Sequence, residues 1–172
     1  AGSMSLSEFE IIEQYFTPLG HWQGPHTVMG PGDDCAVLSP PLGYQPCVSS
    51  DTFIEGVHFP VGASGALVAR RTLAGAVSDL AAMGSEPLAV TGALTLVAAV
   101  PDWLASFSGA LSELIQDWQL PLVGGNISRG RELSLTWTVI GSVPTETYVT
   151  RSGASADEDI YVSGWPGRAG LA

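Results

Sequence analysis

The sequence predicts an α/β (α+β) domain in which a mixed sheet is flanked by helices, and three observations support this fold class. Two long segments carry apolar residues at helical spacing, as in helices that lie on a sheet. Six short apolar runs of strand length are separated by turn-rich segments. The 172 residues, 45% of them hydrophobic and 13% charged, contain no internal repeat or long linker and suffice for a buried core.

A short amphipathic helix is predicted near the amino terminus. Ser7 and Glu10 have the spacing of a capping box, in which each side chain bonds the backbone amide of the other residue. Apolar residues follow at helical spacing, namely Phe9, Ile12 and Phe16. Pro18 and Gly20 are expected to end this helix.

Two longer helices are predicted further along the chain. One runs from Ala66 to Met83, with Gly84 as its C-terminal cap. The other starts at Pro101, because proline is favoured in the first turn, and continues to about Trp118.

Strands are predicted for the remaining apolar runs. They are Cys35–Leu38, Pro46–Ser49, Leu88–Leu96, Leu120–Val123, Leu133–Ile140 and Ile160–Val162. The run that begins at Leu133 alternates apolar and polar residues, as in a strand with one buried face.

The charge composition excludes several function classes. Six arginines and no lysine stand against 17 acidic residues, so the net charge is 6 − 17 = −11. Without lysine the chain has no Schiff-base former and no phosphate-loop ammonium. So little positive charge disfavours nucleic acid and anionic membranes as partners.

Charged residues interrupt the longest apolar region, so no membrane span is predicted. Cys35 and Cys47 form no disulfide framework, which favours a reducing, cytoplasmic location.

Four aspartates lie beside predicted elements. Asp33 and Asp34 precede one strand, Asp51 ends the next, and Asp79 lies in a helix. If they converge, they form an oxygen-donor set without histidine or cysteine, which suits Mg²⁺ and makes phosphoryl transfer the natural reaction class. The alternative is that Asp33 and Asp34 form an ordinary turn and Asp79 is an exposed helix residue.

Three weaker signals are compatible with a phosphorylated ligand. Gly124, Gly125 and Asn126 follow a predicted strand, and their amides can approach a phosphate, although an ordinary loop has the same composition. Arg151 can clamp a phosphate or simply be solvated. His58 can contact a substrate or be a packed, hydrogen-bonded residue.

Five segments combine into a recognisable pattern. They are Gly32–Leu38, Ser49–Phe59, Val77–Gly84, Gly124–Gly130 and Thr150–Ala154. Their combination, above all Asp-Thr-x-x-x-Gly-x-His-Phe and Ser-Asp-Leu-Ala-Ala-Met-Gly, resembles the N-terminal domain of the thiamine-monophosphate kinase family. That family belongs to the aminoimidazole-ribonucleotide synthetase-like superfamily.

The resemblance implies a kinase that phosphorylates thiamine monophosphate with ATP, giving thiamine diphosphate. It implies a homodimer in which N-terminal domains pair their sheets into a barrel-like core and bind ATP and Mg²⁺. It assigns metal contacts to Asp33, Asp34, Ser49, Ser50, Asp51, Asp79 and Asn126, ATP contacts to Gly125, Asn126 and Arg151, and a substrate contact to His58. No catalytic nucleophile is implied, since transfer from ATP to the substrate phosphate is direct.

Three departures from the family pattern leave alternatives open. Asn126 stands where the family has an aspartate, which weakens metal binding, and Ala76 stands where it usually has an asparagine. The second domain of the family is also missing, so this chain alone is expected to be inactive. The alternatives are a dimerising, nucleotide-binding module without phosphoryl transfer, or an enzyme of the same superfamily that acts on another small phosphorylated metabolite.

The sequence and the resemblance together predict the domain boundaries. Residues 1–3 are typical of an expression scar, residues 4–155 form the N-terminal ATP- and Mg²⁺-binding and dimerisation domain, and residues 156–172 start a truncated C-terminal domain.

Overall fold

The computed structural model describes residues 6–162 and 164–167. Its strands are β1 (Thr27–Met29), β2 (Val37–Leu38), β3 (Tyr44–Ile54), β4 (Glu86–Leu96), β5 (Leu122–Arg129) and β6 (Ser134–Pro144). Its α-helices are α1 (Glu8–Ile11), α2 (Gly65–Ala82) and α3 (Pro101–Asp117). A π-helical turn (Ile12–Phe16) and a 3₁₀ turn (Thr17–His21) continue α1.

Four strands form the main sheet in the order β3-β6-β4-β5. β6 is antiparallel to both of its neighbours, whereas β4 and β5 run parallel, so the predicted mixed sheet is confirmed. The parallel pair is joined through α3, as a parallel connection requires a crossover. β1 and β2 form a separate two-stranded sheet, and β1 was not predicted.

The amino-terminal helix begins as predicted but buries a different face. The Ser7 side chain and the Glu10 side chain form the reciprocal capping box. Phe9 is 80% exposed, so its predicted role on the apolar face is wrong. The buried residues are four apart, as expected for one face of a helix, and they are Ile11, Tyr15 and Leu19.

The two long helices match their predicted bounds to within one residue at each end. Gly84 follows α2 with φ 68°, and its N–H donates to the Ala81 carbonyl (3.1 Å) while Ser85 N–H donates to Leu80 (2.9 Å). This pair of bonds is a Schellman motif, which explains the glycine at this position.

Close contact between α2 and α3 depends on a second glycine. A Cβ at Gly65 would lie 2.3 Å from the Trp103 carbonyl oxygen and 2.6 Å from the Phe107 nitrogen. The helices therefore approach to backbone contact at this point. Phe107 then stacks on Trp137 of β6, with ring centroids 6.4 Å apart, and joins the helix pair to the sheet.

Strand β3 is much longer than the predicted Pro46–Ser49. It pairs with β6 over eleven residues, from Tyr44 opposite Pro144 to Ile54 opposite Ser134. Asp51 was expected to end the strand, and this is wrong because Asp51 lies inside it, opposite Trp137.

Polar residues continue β3 because one face of the sheet carries hydroxyl pairs. Ser50 contacts Thr138 (3.0 Å) and Thr52 contacts Thr136 (2.9 Å) through their side-chain oxygens. A similar pair, Thr95 with Ser128 (3.2 Å), joins β4 to β5. Cross-strand hydroxyl pairs stabilise a sheet without an apolar pattern, so periodicity could not detect this extension.

The predicted glycine-rich loop after Val123 is also wrong. Gly124, Gly125 and Asn126 lie inside β5, in parallel register with Thr91, Gly92 and Ala93 of β4. The strand therefore runs to Arg129 instead of ending at Val123.

The predicted strand Ile160–Val162 does not form. These residues have no regular secondary structure and are exposed, with Ile160 at 93%. The proposed expression scar, residues 1–3, lies outside the described residues, as do parts of the segment 156–172. The domain boundary at residue 155 stays a prediction.

Candidate functional site

Residues that the sequence analysis selected line two separate cavities. The first has a volume of about 730 Å³ and is lined by Asp33, Asp34, Gly125 and Asn126. The second has a volume of about 560 Å³ and is lined by Ser49, Asp79 and Arg151. The four aspartates therefore do not converge on one point within this chain.

The first cavity combines acidic residues with an aromatic wall. Asp33 and Asp34 follow Gly32, whose φ of 123° is available to glycine but strained for other residues. The Asp34 N–H donates to the Asp33 Oδ1 (2.8 Å), and both side chains are exposed. The backbone bends over residues 31–35, and the two carboxylates are accessible to a ligand.

Aromatic residues of the core reach the same cavity. Phe107 of α3 and Trp137 of β6 both line it, beside Gly92 and Gly125 of the parallel strands. Sequence reasoning missed these two aromatic residues as site components, because their spacing is that of ordinary core positions. The sequence signal for this part of the cavity is the two glycines, which have no side chains to fill it.

The second cavity lies at the end of the sheet where β3 begins and α2 ends. The Ser49 hydroxyl donates to the Asp79 Oδ2 at 2.5 Å, a contact between β3 and α2 that is partly buried. Asp79 is therefore held against the sheet and is not a freely solvated helix residue. A short hydrogen bond to a carboxylate is of the stronger, charge-assisted type.

Arg151 reaches this cavity through the segment that follows β6. The Val149 N–H donates to the Met83 carbonyl (3.1 Å), directly beside the Schellman turn at Gly84. The end of α2 thus fixes the segment that carries Arg151 on the same cavity as Asp79. The sequence named Arg151 and Asp79 separately but gave no sign of this connection.

Ser49, Ser50 and Asp51 do not face the same way. Successive residues of a strand point to opposite faces, so Ser49 and Asp51 share the helix face while Ser50 faces the hydroxyl pairs. His58 lies beyond the end of β3 in an exposed loop, where its Nδ1 accepts a hydrogen bond from the Ile54 N–H (3.0 Å).

Within residues 6–162 and 164–167, no three His, Cys, Asp or Glu side chains are grouped closely enough to hold a metal ion. Ser49 and Asp79, which are hydrogen-bonded to each other, and Asp51, two residues further along the same face of β3, all carry hard oxygen atoms. Hard oxygens are the ligands that Mg²⁺ takes, usually through one or two carboxylates together with phosphate oxygens of a bound nucleotide. The donor chemistry therefore fits Mg²⁺ shared with a phosphate.

Comparison with known families identifies the fold. Residues 32–143 match the family described as AIR synthase related protein, N-terminal domain. The chain belongs to this family. The matched range contains the four aspartates, the four strands of the main sheet up to Val143, and helices α2 and α3.

Individual relatives carry more specific names. The chain is 41% identical over 171 residues to thiamine-monophosphate kinase of Escherichia coli (strain K12), covering 98% of this chain and 52% of the relative. It thus spans about half the length of the curated relatives it matches.

Solved structures agree in fold. Thiamine-monophosphate kinase from Stenotrophomonas maltophilia K279a is 37% identical, with a TM-score of 0.70 over 85% of this chain and 45% of that one. AaThiL, whose structure is a complex with AMPPCP and TMP, has a TM-score of 0.62 at 22% identity, over 90% of this chain and 48% of that one.

Among the helices of the described segments, none has the length and apolar character needed to cross a bilayer.

Proposed function

We propose that this chain is the nucleotide-binding part of a thiamine-monophosphate kinase, which transfers the γ-phosphoryl group of ATP to thiamine monophosphate. The observation that carries the proposal is the second cavity, where Ser49, Asp79 and Arg151 from three different elements line one volume. A carboxylate that accepts from a hydroxyl, with an arginine on the same cavity, provides a metal contact and a phosphate contact together.

The relatives support the nature of the reaction. Chains that are 33–41% identical over more than nine-tenths of this sequence are thiamine-monophosphate kinases. A related fold binds AMPPCP and TMP. Direct phosphoryl transfer needs positioning and charge neutralisation instead of a protein nucleophile, and both cavities offer such groups.

Mg²⁺ is part of this proposal. Asp79, Asp51 and Ser49 would hold it on the helix face of β3, with Asp33 and Asp34 serving the first cavity. When bound, the ion neutralises phosphate charge during transfer. Ser49 keeps Asp79 oriented through its hydrogen bond, and Arg151 lies near the same phosphates.

A homodimer and a cytoplasmic location complete the proposal. β3 is an edge strand of eleven residues, and its Val48 is 66% exposed. A long exposed edge or face is usually covered in the native assembly. Pairing of two sheets into a barrel-like core, as the family resemblance implies, would cover it.

A second candidate function is a nucleotide-binding module without phosphoryl transfer. It is favoured by Asn126, which lines the first cavity with Asp33 and Asp34 but offers a neutral amide where the family pattern has a carboxylate. An amide carbonyl is a weaker Mg²⁺ ligand than a carboxylate, since it brings no charge.

Calorimetric titration of the chain with a non-hydrolysable ATP analogue, with and without Mg²⁺, tests the nucleotide site. We expect Mg²⁺-dependent binding that weakens in Asp79→Asn, because Asp79 lines the second cavity. Asn126→Asp tests the first cavity, and tighter binding in this variant would extend the nucleotide site to it. Asp117→Asn is the matched control, because Asp117 is exposed at the end of α3 and lines neither cavity. Binding that Asp79→Asn leaves unchanged would contradict the proposed site.

Product formation separates the two candidate functions. Because this chain alone is expected to be inactive, a full-length thiamine-monophosphate kinase that contains it as the N-terminal half is incubated with ATP, Mg²⁺ and thiamine monophosphate, and thiamine diphosphate is measured by chromatography. Product that depends on Asp79 supports the kinase. Nucleotide binding without product supports the module, and turnover of a different phosphorylated metabolite in place of thiamine monophosphate contradicts the proposed substrate.

A further inference from the structure

A strap, residues 145–151, leads from the end of β6 to Arg151 along the second cavity. Its second half, residues 148–151, lines this cavity together with Gln45, Ser49 and Asp79. The position of Arg151 beside Asp79 therefore depends on the contacts that hold the strap.

The strap begins in a tight turn, residues 144–147. The Thr147 N–H donates to the Pro144 carbonyl (3.1 Å), which is the bond that closes a four-residue turn. The Thr147 hydroxyl donates to the same carbonyl (2.8 Å). The N–H and the hydroxyl of Thr145 both donate to the Gly43 carbonyl, at 3.0 and 2.9 Å, so the start of the turn is fixed to the chain that enters β3.

The third residue of this turn has an unusual backbone conformation. Glu146, but not Thr145, has a positive φ, of 63°. This left-handed conformation is uncommon for any residue other than glycine. A turn with positive φ at its third residue alone is of type II, which favours glycine or asparagine there, whereas type I is compatible with most residues. The two types differ in the direction of the peptide group that contains the Glu146 N–H.

A glutamine of the sheet accepts from this N–H. The Gln45 Oε1 lies 3.1 Å from the Glu146 nitrogen, although the two residues are 101 positions apart in the sequence. Gln45 belongs to β3, and it shares a face of that strand with Ser49 because the two are an even number of residues apart. The contact stabilises the type II orientation, since the type I orientation directs the Glu146 N–H away from Oε1.

A second contact holds the middle of the strap. The Val149 N–H donates to the Met83 carbonyl (3.1 Å) at the end of α2. Arg151 follows two residues later, in a turn closed by the Gly153 N–H and the Thr150 carbonyl (3.3 Å). Arg151 is exposed and makes no ion pair within the described segments, so its guanidinium is available to an anionic ligand.

We propose that Gln45 is a positioning residue for Arg151. By accepting from the Glu146 N–H, it holds the first turn of the strap in one conformation, and together with the Met83 contact it keeps Arg151 on the second cavity. A strained backbone persists only where its surroundings enforce it, and Gln45 supplies that constraint at Glu146. That the ligand is a nucleotide phosphate rests on the proposed function, whereas the hold on the strap is a property of the chain alone.

Amide hydrogen exchange of the ligand-free chain tests the hold on the strap. Gln45→Leu removes the acceptor, whereas Gln45→Glu retains an oxygen that can accept from the Glu146 N–H. We expect the amides of Glu146 and Val149 to exchange faster in Gln45→Leu and to keep the rate of the unchanged protein in Gln45→Glu. Unchanged exchange at Val149 in Gln45→Leu would overturn the proposal, because the turn would then have no effect on the rest of the strap.

Gln116→Leu is the matched control for this substitution. Gln116 is an exposed glutamine on α3, and it lines neither cavity. Its replacement is expected to leave the exchange of both strap amides unchanged. Faster exchange of these amides in Gln116→Leu as well would overturn the assignment to Gln45, since the effect would then be general.

Calorimetric titration with the ATP analogue and Mg²⁺ tests whether Gln45 acts through Arg151. Affinity is expected to fall about two- to tenfold in Gln45→Leu, as for the loss of one hydrogen bond. In an Arg151→Ala background the same substitution is expected to have no further effect, because the strap then carries no guanidinium. Equal losses in the two backgrounds would overturn the proposal, since Gln45 would then act independently of Arg151.

The two experiments distinguish failure of this proposal from failure of the proposed function. If the analogue does not bind the unchanged chain, the proposed nucleotide site is wrong, while exchange at Glu146 and Val149 still decides whether Gln45 holds the strap. If the analogue binds and Arg151→Ala leaves its affinity unchanged, Arg151 makes no phosphate contact and the positioning role of Gln45 is overturned.

Discussion

Replacement of Gly125 by alanine is expected to destabilise the sheet, although Gly125 was selected from the sequence for phosphate contact. Gly125 lies in β5, opposite Gly92 of the parallel neighbour β4. A Cβ built on Gly125 would lie 2.2 Å from the Gly92 carbonyl oxygen and 3.2 Å from its carbonyl carbon. Both atoms belong to the backbone of an inner strand, so no side-chain rotation relieves the contact.

The structure sets the size of the effect. Ordinary van der Waals contact begins at 3.4 Å, so the two strands must separate by 3.4 − 2.2 = 1.2 Å or distort locally. Forcing an extra methyl group into a packed region typically costs about 1–3 kcal/mol. The lower conformational entropy of the unfolded alanine chain offsets about 0.4–1 kcal/mol of this cost. We expect a net loss of about 1–2 kcal/mol in the free energy of unfolding, which lowers Tm by about 2–8 °C in a chain of this size.

Gly124 is the matched control. It is the preceding residue of the same strand, and its Cβ would meet only Thr91 Cγ2 at 3.8 Å, an ordinary contact. Urea and thermal unfolding of Gly125→Ala and Gly124→Ala are compared with the unchanged protein. Gly124→Ala is expected to be neutral or slightly more stable, because only the entropy gain remains.

Unfolding curves that overlay for Gly125→Ala and the unchanged protein would refute this reasoning. So would a larger loss in Gly124→Ala than in Gly125→Ala. An unchanged stability combined with lost nucleotide binding would instead show that the glycine serves the ligand and not the sheet.

Three further predictions concern packing and charge. Gly92→Ala should destabilise the chain by about 1–3 kcal/mol in urea unfolding, because its Cβ would lie 2.4 Å from the buried Trp137 ring; an unchanged midpoint would contradict it. Thr72→Val should lower the free energy of unfolding by about 1–3 kcal/mol in the same assay, because it leaves the Trp137 Nε1–H without its acceptor, Thr72 Oγ1 at 2.9 Å. Thr72→Ser keeps the hydroxyl and should lose less stability. Hydrogen bonds from the backbone N–H and the hydroxyl of Ser7 lower the pKa of Glu10 from its usual 4.5. The stability that this cap contributes is therefore complete above pH 4.5 and is lost as the pH falls through the lowered pKa. Amide exchange at the start of α1 should differ between Glu10→Gln and the unchanged protein at about pH 7 but not at about pH 2.

Helices were the most accurately predicted elements, because each end has a local cause. Pro101 starts α3, and Gly84 accepts the left-handed conformation that closes α2. The face that α1 buries was less accurate. Apolar spacing predicted a face that begins at Phe9, whereas the position of the core beneath the helix buries the face that begins at Ile11.

Strand ends were predicted poorly, because they depend on the neighbouring strand. Asp51 was expected to end a strand and Asn126 to lie in the loop after one, yet both lie inside strands. Their backbones are held by pairing with β6 and β4, which overrides the low strand propensity of both residues. The run Ile160–Val162 shows the converse, since it has strand composition but no strand partner among the described residues.

The candidate site also depends partly on the sequence alone and partly on the tertiary structure. The sequence by itself determined which residue types carry the chemistry: oxygen donors, arginine without lysine, and one histidine in a characteristic segment. Only the tertiary structure decided which of them meet, because packing of α2 on β3 joins Ser49 to Asp79 and the Met83 carbonyl holds the segment of Arg151 beside them. Residue chemistry is local to the chain, whereas distances between residues 30 to 100 positions apart depend on how the helices and the sheet pack.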